Sequence, residues 1–354
     1  MSAAGASGLR VGVLGATGAV GSTVLQVLSE RSFPASEVVP LASARSAGKR
    51  LPYAGDEVEC RELSEESIRG LDIVISSAGG AISSEWAPRI VAAGAVVVDN
   101  TSYWRMHEQV PLVVSEVNPE AADSHRGLVA NPNCSTMQMV VALKPILDVA
   151  GIERLIVSTY QSVSGTGNRA IEELRSQSAA VLAGEEPVAH VYPHRIAFNV
   201  LPQVETFKGG DDYTTEERKM IAETRKILGV GTETGISATC ARVPVFNAHS
   251  ESVNLQTRDD LSPEACRELL ASAPGVVVLD DPAEGIYPLA TAAAGRDEVL
   301  VGRIRRDDSH ERCLNLWIVG DNLRKGAATN AVQVAEVLVE RDLVRVPDPA
   351  LDAG

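Results

Sequence analysis

The sequence predicts an α/β protein of two domains, and three observations lead there. Its 354 residues exceed what one ordinary core organises, so roughly two domains are expected. From Leu9 to about Asn118, apolar strand-like runs alternate with amphipathic stretches, the pattern of βαβ units and a parallel sheet. Beyond Cys134 strands follow one another with fewer helices between, which predicts an α+β domain with a mixed sheet. Aromatic residues are only 4% of a chain that is 45% hydrophobic, so the cores must be aliphatic, as suits strands buried on both faces.

The elements follow in order. "LRVGVLG" reads as a strand, and "AVGSTVLQVLSE" places Val20, Val24, Leu25 and Leu28 on one helical stripe. Strands over "VVPLAS", "DIVISSAG" and "AVVVDNT" come next, with a helix over "SEWAPRIVAAG". In the second half "TMQMVVALKPILDVAG" reads as a helix disturbed at Lys144-Pro145, and "ERLIVSTYQSVSG" as a long strand. "NRAIEELRSQSAAVLAG" and "TTEERKMIAETRKILG" are helical, while "ISATCARVPVF", "ESVNLQT", "VLVGRIRRD" and "RCLNLWIVGD" are strands. "GAATNAVQVAEVLVERDLV" reads as a long apolar-striped helix able to pack back on the first domain. No repeat or low-complexity linker separates the halves. Disorder is the expectation for the first eight residues and for "VPDPALDAG".

Bulk chemistry excludes several classes. A net charge of -15 without a basic run argues against a nucleic-acid or anionic-membrane surface. Five scattered cysteines without a C-x-x-C pair argue against a disulfide framework and for a reducing compartment, hence the cytoplasm. Neither these cysteines nor the six histidines show metal-ligand spacing, so no metal is expected. No signal peptide or membrane-length apolar run is seen.

"VGVLGATGAVGS" joins the first strand to the first helix, with Gly15, Gly18 and Gly21 spaced G-x-x-G-x-x-G. Such glycines bring backbone N–H groups close to a pyrophosphate at a helix N-terminus, so this half reads as a Rossmann-type dinucleotide-binding domain. A ligand-free glycine turn is the plainer alternative. The second strand ends in "ASARSAGKR", with Ser43, Arg45 and Ser46 and no acid for a ribose 2′-hydroxyl. Arg45 suits a 2′-phosphate, hence NADP, unless this is only a solvated basic loop. In "VVVDNTSYWRM", Asn100, Thr101, Ser102 and Arg105 lie beyond a strand's carboxyl end, where ligands of open sheets bind. Arg105 can take a phosphate bidentately, or simply pair with Glu108.

"ANPNCSTMQ" sets Cys134 between Asn133 and Ser135 at a helix start, between the two expected domains. Buried cysteine is ordinarily inert. A helix N-terminus, however, favours a thiolate and can hold an oxyanion, so Cys134 is the candidate nucleophile. "RVPVFNAHSE" places His249 just past a strand end, seven residues after Arg242, as a candidate acid/base; a loop histidine is the alternative, and His190 and His194 compete.

With "GATGAVG", "DNTSYWRM", "NPNCST", "YQSVSGTG" and "RVPVFNAHSE" in this order, the chain resembles the bacterial aspartate-semialdehyde dehydrogenases from about residue 9 to about 344. The resemblance implies NADPH-dependent reductive dephosphorylation of L-aspartyl 4-phosphate to L-aspartate 4-semialdehyde, a step toward lysine, threonine and methionine, by a homodimer. It implies Cys134 as nucleophile, His249 as acid/base and Gln161 as the residue orienting the acyl intermediate. It gives Arg242 the substrate carboxylate, Arg105 and Lys219 the phosphate, and Glu216 or its neighbour Glu217 the ammonium, with Asn133 also at the substrate. NADP falls to Gly15, Thr17, Gly18, Ala19 and Val20, to Ser43, Arg45 and Ser46, and to Gly165, Gly167 and Asn322. The implied domains are an NADP-binding one over 1–133, completed by a C-terminal helix 324–354, and a catalytic and dimerisation one over 134–323. An N-acetyl-glutamyl-phosphate reductase is the nearest enzymatic rival, and a silent NADP(H)-binding regulator the rival of another class.

Overall fold

The structure is a computed structural model that describes residues 8–348, 350 and 351, so the expectations for the termini fall partly outside the described residues. The chain forms two units: the residues up to Pro132 together with those from Ala327 on, and Asn133–Gly326.

The first unit is built on a six-stranded sheet. β1 (Leu9–Leu14) leads through α1 (Ala19–Glu30) to β2 (Ala35–Ala42), and a small hairpin follows, β3 (Arg50–Tyr53) with β4 (Asp56–Glu59). β5 (Arg61–Glu62), β6 (Ile73–Ser76), α2 (Gly80–Ala92), β7 (Val96–Asp99) and β8 (Leu128–Ala130) complete it. The sheet order is β5-β2-β1-β6-β7-β8 and every pair is parallel. Its central strands are buried, mostly aliphatic runs such as Ile73–Ser76 and Val96–Asp99, which fits the scarcity of aromatics. α1 and the C-terminal helix Asn330–Glu340 pack into one core with them, through Val24, Leu28, Val334 and Leu338. Arg31 reaches Glu336 at 2.8 and 2.6 Å between these two helices.

The order reverses between β1 and β6, the switch point outside whose carboxyl ends such sheets bind ligands. The glycine turn sits there. Gly15 has φ +82°, and a Cβ on it would meet the Ser77 carbonyl carbon at 2.9 Å. Gly21, in the first turns of α1, would place a Cβ 2.2 Å from the Gly15 carbonyl oxygen. The sequence spacing is therefore the spacing at which helix and turn touch.

The second unit opens with α3 (Cys134–Ala150), followed by β9 (Ile152–Gln161), α4 (Asn168–Leu182), α5 (Thr215–Leu228), β10 (Gly235–Arg242) and β11 (His249–Thr257). α6 (Pro263–Ala271), β12 (Val276–Val278), α7 (Ala290–Ala293), β13 (Val299–Arg306) and β14 (Cys313–Gly320) complete it. The sheet order β10-β9-β11-β14-β13-β12 mixes parallel pairs at its two edges with antiparallel pairs inside, the expected mixed sheet.

Four expectations are corrected. Pro145 does not interrupt α3, which runs unbroken to Ala150. The C-terminal element is shorter than expected: a π-helical turn Arg324–Thr329 precedes the helix, which stops at Glu340 because Asp342 turns left-handed at φ +56°. His249 does not trail a strand; it is the first residue of β11, paired with Gly320 of β14. The stretch between Thr257 and Val299, assigned no element from sequence, holds α6, β12 and α7.

Among the described residues no helix is long and apolar enough to cross a membrane. Because backbone rather than a flexible side chain meets the added methyl, Gly21→Ala is expected to destabilise the first unit by about 3 kcal/mol, read as a lowered denaturant midpoint. An unchanged midpoint would show that α1 and the turn can separate freely.

Candidate active site

Cys134 is the first residue of α3, and Asn133 is its N-cap. The Asn133 side-chain oxygen accepts the N–H groups of Ser135 at 3.0 Å and Thr136 at 3.2 Å. That cap fixes the thiol at the positive end of the helix, where an anion is favoured. Asn133 is anchored in turn: its N–H donates to Glu223 at 2.6 Å and its side-chain nitrogen to Glu216 at 2.9 Å. Behind the thiol, a Cβ on Gly326 would lie 2.8 Å from the Cys134 Cβ, so the π-helical turn is pressed against the cysteine.

Gln161 and Arg242 end β9 and β10 and are paired neighbours across these parallel strands. Gln161 is buried and donates to Glu216 Oε1 at 3.1 Å, the same oxygen that Asn133 uses. Lys219, one turn along α5, meets Glu216 Oε2 at 2.7 Å and also contacts Glu205. Burial opposes the charge on Glu216, yet Lys219 and the donors Asn133 and Gln161 hold its carboxyl down to about 2. Glu217 is engaged elsewhere: it completes the α5 capping box with Thr214 and accepts the Cys240 N–H at 2.9 Å. Glu216 is thus the acid in this cluster, because adjacent helical residues face different ways.

His249 is fully buried. Its Nδ1 accepts the backbone N–H of Ser162 at 3.0 Å, so the neutral ring carries its proton on Nε2. Burial, reinforced by the Arg242 charge, pushes its pKa down to about 3 and keeps that ring neutral. His249 Nε2 and Arg242 Nε are both buried without a hydrogen-bond partner. Gly165 is the residue between them: a Cβ there would sit 3.1 Å from an Arg242 nitrogen and 3.3 Å from His249 Nε2. Two side chains that each keep an unpaired donor, packed against an exposed glycine, suit an anionic, oxygen-rich ligand. Gly167 precedes α4 at φ +96°, and Asn322 accepts from Ser162, Ser164 and the Ala248 N–H, its oxygen fully used within the unit. His190 and His194 are exposed loop residues.

In the first unit, Arg105 is buried and donates to the carbonyls of Asn131 at 2.9 Å and Asn100 at 2.8 Å. Thr101 is fixed by Asp99 through its N–H at 2.8 Å, and Ser102 is exposed. Gly18 precedes α1 with no side-chain cap, and Thr17, Ala19 and Val20 are part-exposed around it. Beyond β2, Ser43 and Arg45 are exposed while Ser46 is buried, and Arg45 makes no ion pair with a described residue. An uncapped helix start at the switch point and an uncommitted arginine after the second strand fit a dinucleotide carrying a 2′-phosphate.

The sequence reading missed Ser162, Gln138, Glu223, Gly326 and Glu251. Ser162 follows Gln161 in a motif already singled out, so its adjacency was the available signal. Glu223 is legible only as the residue one helical repeat beyond Glu216 on α5. Gln138 and Gly326 carry no signal beyond their place in a helix and after a strand.

A parallel nucleotide-type sheet together with a unit holding a capped cysteine and a buried histidine and arginine fits the class of nucleotide-dependent dehydrogenases. The family models match: a semialdehyde dehydrogenase NAD binding domain over residues 10–125 and a semialdehyde dehydrogenase dimerisation domain over 143–325. The chain belongs to the aspartate-semialdehyde dehydrogenase family. It is 54% identical to the aspartate-semialdehyde dehydrogenase of Aquifex aeolicus over 95% of this chain and 100% of that one. It superposes on the crystal structure of aspartate semialdehyde dehydrogenase II from Vibrio cholerae with TM-score 0.89 at 46% identity, covering 94% and 98% of the two chains; the same enzyme is also known complexed with ASA. The aspartate semialdehyde dehydrogenase of Candida albicans, solved with NADP, aligns at TM-score 0.71 and 27% identity over 95% and 99%.

The neutral histidine gives a pH signature. An unfolded histidine titrates at 6.5, whereas His249 resists protonation to about 3, so between these values the unfolded chain binds the extra proton. Stability contributed by His249 is present above 6.5 and is lost as pH falls through that window. The thermal midpoint of the wild type should therefore fall more steeply between about pH 6.5 and about pH 4 than that of His249→Asn. Parallel slopes would mean that the ring is not held neutral.

Proposed function

We propose that this chain catalyses the NADPH-dependent reductive dephosphorylation of L-aspartyl 4-phosphate to L-aspartate 4-semialdehyde, releasing NADP+ and phosphate, as a homodimer in the pathway to lysine, threonine, methionine and isoleucine. The observation that carries the residue roles is that His249 Nε2 and Arg242 Nε are buried without a hydrogen-bond partner, with both side chains packed against Gly165. Arg242 is proposed to hold the substrate carboxylate and Glu216 its ammonium. Glu216 is ionised, so its negative field favours a substrate ammonium, which an N-acylated substrate lacks.

The steps follow from the residues. The Cys134 thiolate attacks the acyl carbon, and the C–S bond forms as the bond to the phosphate oxygen breaks, leaving a thioester. Gln161, held by Glu216, is proposed to orient that acyl group. Lys219 stands within the same cluster to receive the departing phosphate. NADPH, when bound, supplies the hydride that reduces the thioester carbon. The Nε2–H of His249 hydrogen-bonds the resulting oxyanion, which collapses as the C–S bond breaks and frees the aldehyde and the thiolate. The Gly15, Thr17, Gly18, Ala19 and Val20 turn is proposed to hold the pyrophosphate and Arg45 the 2′-phosphate. Residues 1–132 with the C-terminal helix are the proposed NADP-binding domain, and the second unit the catalytic and dimerisation domain. Five cysteines outside any disulfide support a cytoplasmic location.

The test is the reverse reaction, following NADP+ reduction with L-aspartate 4-semialdehyde and phosphate. Phosphate-dependent turnover that prefers the aspartate aldehyde over N-acetyl-glutamate semialdehyde, and NADP+ over NAD+, is expected; turnover with the N-acetylated aldehyde alone would overturn the substrate. Cys134→Ser should fold normally and lose roughly 1,000-fold or more in kcat, since a serine hydroxyl is far less acidic than a thiol. Near-normal turnover in that variant would end the covalent route.

A further inference from the structure

Glu251 lies two residues beyond His249 on the same face of β11, and both its carboxylate oxygens are buried without a hydrogen-bond partner. Its neighbours across the sheet are Thr159 of β9 and Ile318 of β14. From α3, the Gln138 amide is the hydrogen-bonding group beside it, and from β10 the titratable neighbour is Cys240, whose thiol is itself pushed up by burial. Among the described residues no cation acts on it: burial pushes the carboxyl well above the usual carboxylate range, and Gln138 counteracts this in part.

Gln138 shows the complementary deficit. Its Nε2 donates to the backbone carbonyl of His249 at 3.2 Å, while its Oε1 is buried without a donor. Acceptors on both side chains thus lack a proton. An ionised carboxylate here would be an unpaired buried charge, the costliest arrangement a protein interior can hold. One proton on Glu251 removes both deficits, neutralising the acid and supplying the O–H that Gln138 lacks.

We infer that Glu251 is a neutral carboxylic acid donating its proton to Gln138 Oε1, and that the pair acts as a brace that fixes His249 through its backbone carbonyl. Glu251 and Gln138 are positioning residues. The need for a brace is visible in the chain just before the histidine. Ala248 sits at φ +71°, a left-handed conformation that side-chain-bearing residues adopt at a cost. Asn322 takes the Ala248 N–H and Gln138 the His249 carbonyl, so the strained link is held from both sides. The brace also dictates the side chain beside it, since a Cβ on Gly320 would meet Gln138 Oε1 at 2.8 Å.

The kinetic half of this inference rests on the activity proposed above; the protonation state does not. Infrared difference spectra of the full chain at neutral pH, wild type against Glu251→Gln, should show a protonated carboxyl carbonyl band that the variant lacks. In turnover, Glu251→Gln still donates to Gln138 Oε1 and should stay within about threefold of wild-type kcat. Glu251→Leu and Gln138→Leu should lose about 5- to 100-fold in kcat with KM changed less than about threefold, the mark of a displaced acid/base group. Absence of the protonated band, wild-type kcat in Glu251→Leu, or equal damage in Glu251→Gln and Glu251→Leu would each overturn it. Should the leucine variants fail to fold, the infrared band and Glu251→Gln decide alone. A wild type without NADP-dependent turnover would sink the proposed activity, and the band would still decide the state of Glu251.

Discussion

The second unit depends on the carboxylate of Glu216. One of its oxygens takes both the Asn133 side chain, which caps α3 beneath Cys134, and the Gln161 side chain at the end of β9. The other takes Lys219. A helix start, a strand end and a second helix are thereby fixed to one ionised group. Charge-assisted hydrogen bonds are the strong kind, and a buried charge with its lone pairs satisfied resists displacement. Losing any one donor leaves the rest of a desolvated anion unpaid, so the geometry around the thiol is cooperative rather than modular.

Around that anion the unit treats its other titratable groups in opposite ways. His249 is kept neutral by burial and by the neighbouring guanidinium, with its tautomer chosen by a single backbone N–H from Ser162. Arg242 is tied to the Ser162 carbonyl at 2.8 Å, so one residue orients both. Gly165 completes the arrangement by having no side chain, because any Cβ would press on the Arg242 guanidinium and on His249 Nε2. Polar atoms left unpaired in a buried place are rare, and here they cluster where a ligand would supply the partners.

The legibility of the fold varied with the strength of the local signal. Wholly buried aliphatic strands such as Val96–Asp99 and well-capped helices such as Thr215–Leu228 declare themselves through composition and capping. The β3–β4 hairpin does not: its four-residue strands are charged, one contains Pro52, and its turn is Ala54-Gly55 rather than Asn-Gly. α6 carried its signal in Ser262-Pro263-Glu264, a cap, an N1 proline and a first-turn acid, and could have been assigned. The stop at Glu340 was hidden, since a left-handed Asp342 is a choice of backbone that an aspartate only permits.

What the sequence by itself determined is the order of elements, the glycine spacing at the first turn and the membership of the polar motifs, because periodicity and steric minimality are local properties of the chain. Only the tertiary structure decided which acid of Glu216 and Glu217 joins the cluster, which histidine is buried, and which nitrogen of that ring is free. The same holds for Glu251, a glutamate within "HSE" that reads as an ordinary polar strand residue until its burial and its missing donors are seen. Burial and hydrogen-bond partnership arise from residues distant in the chain, here α3, α5 and three strands of one sheet. They are therefore absent from any short stretch of sequence, and they set the charge and direction of every group in the site.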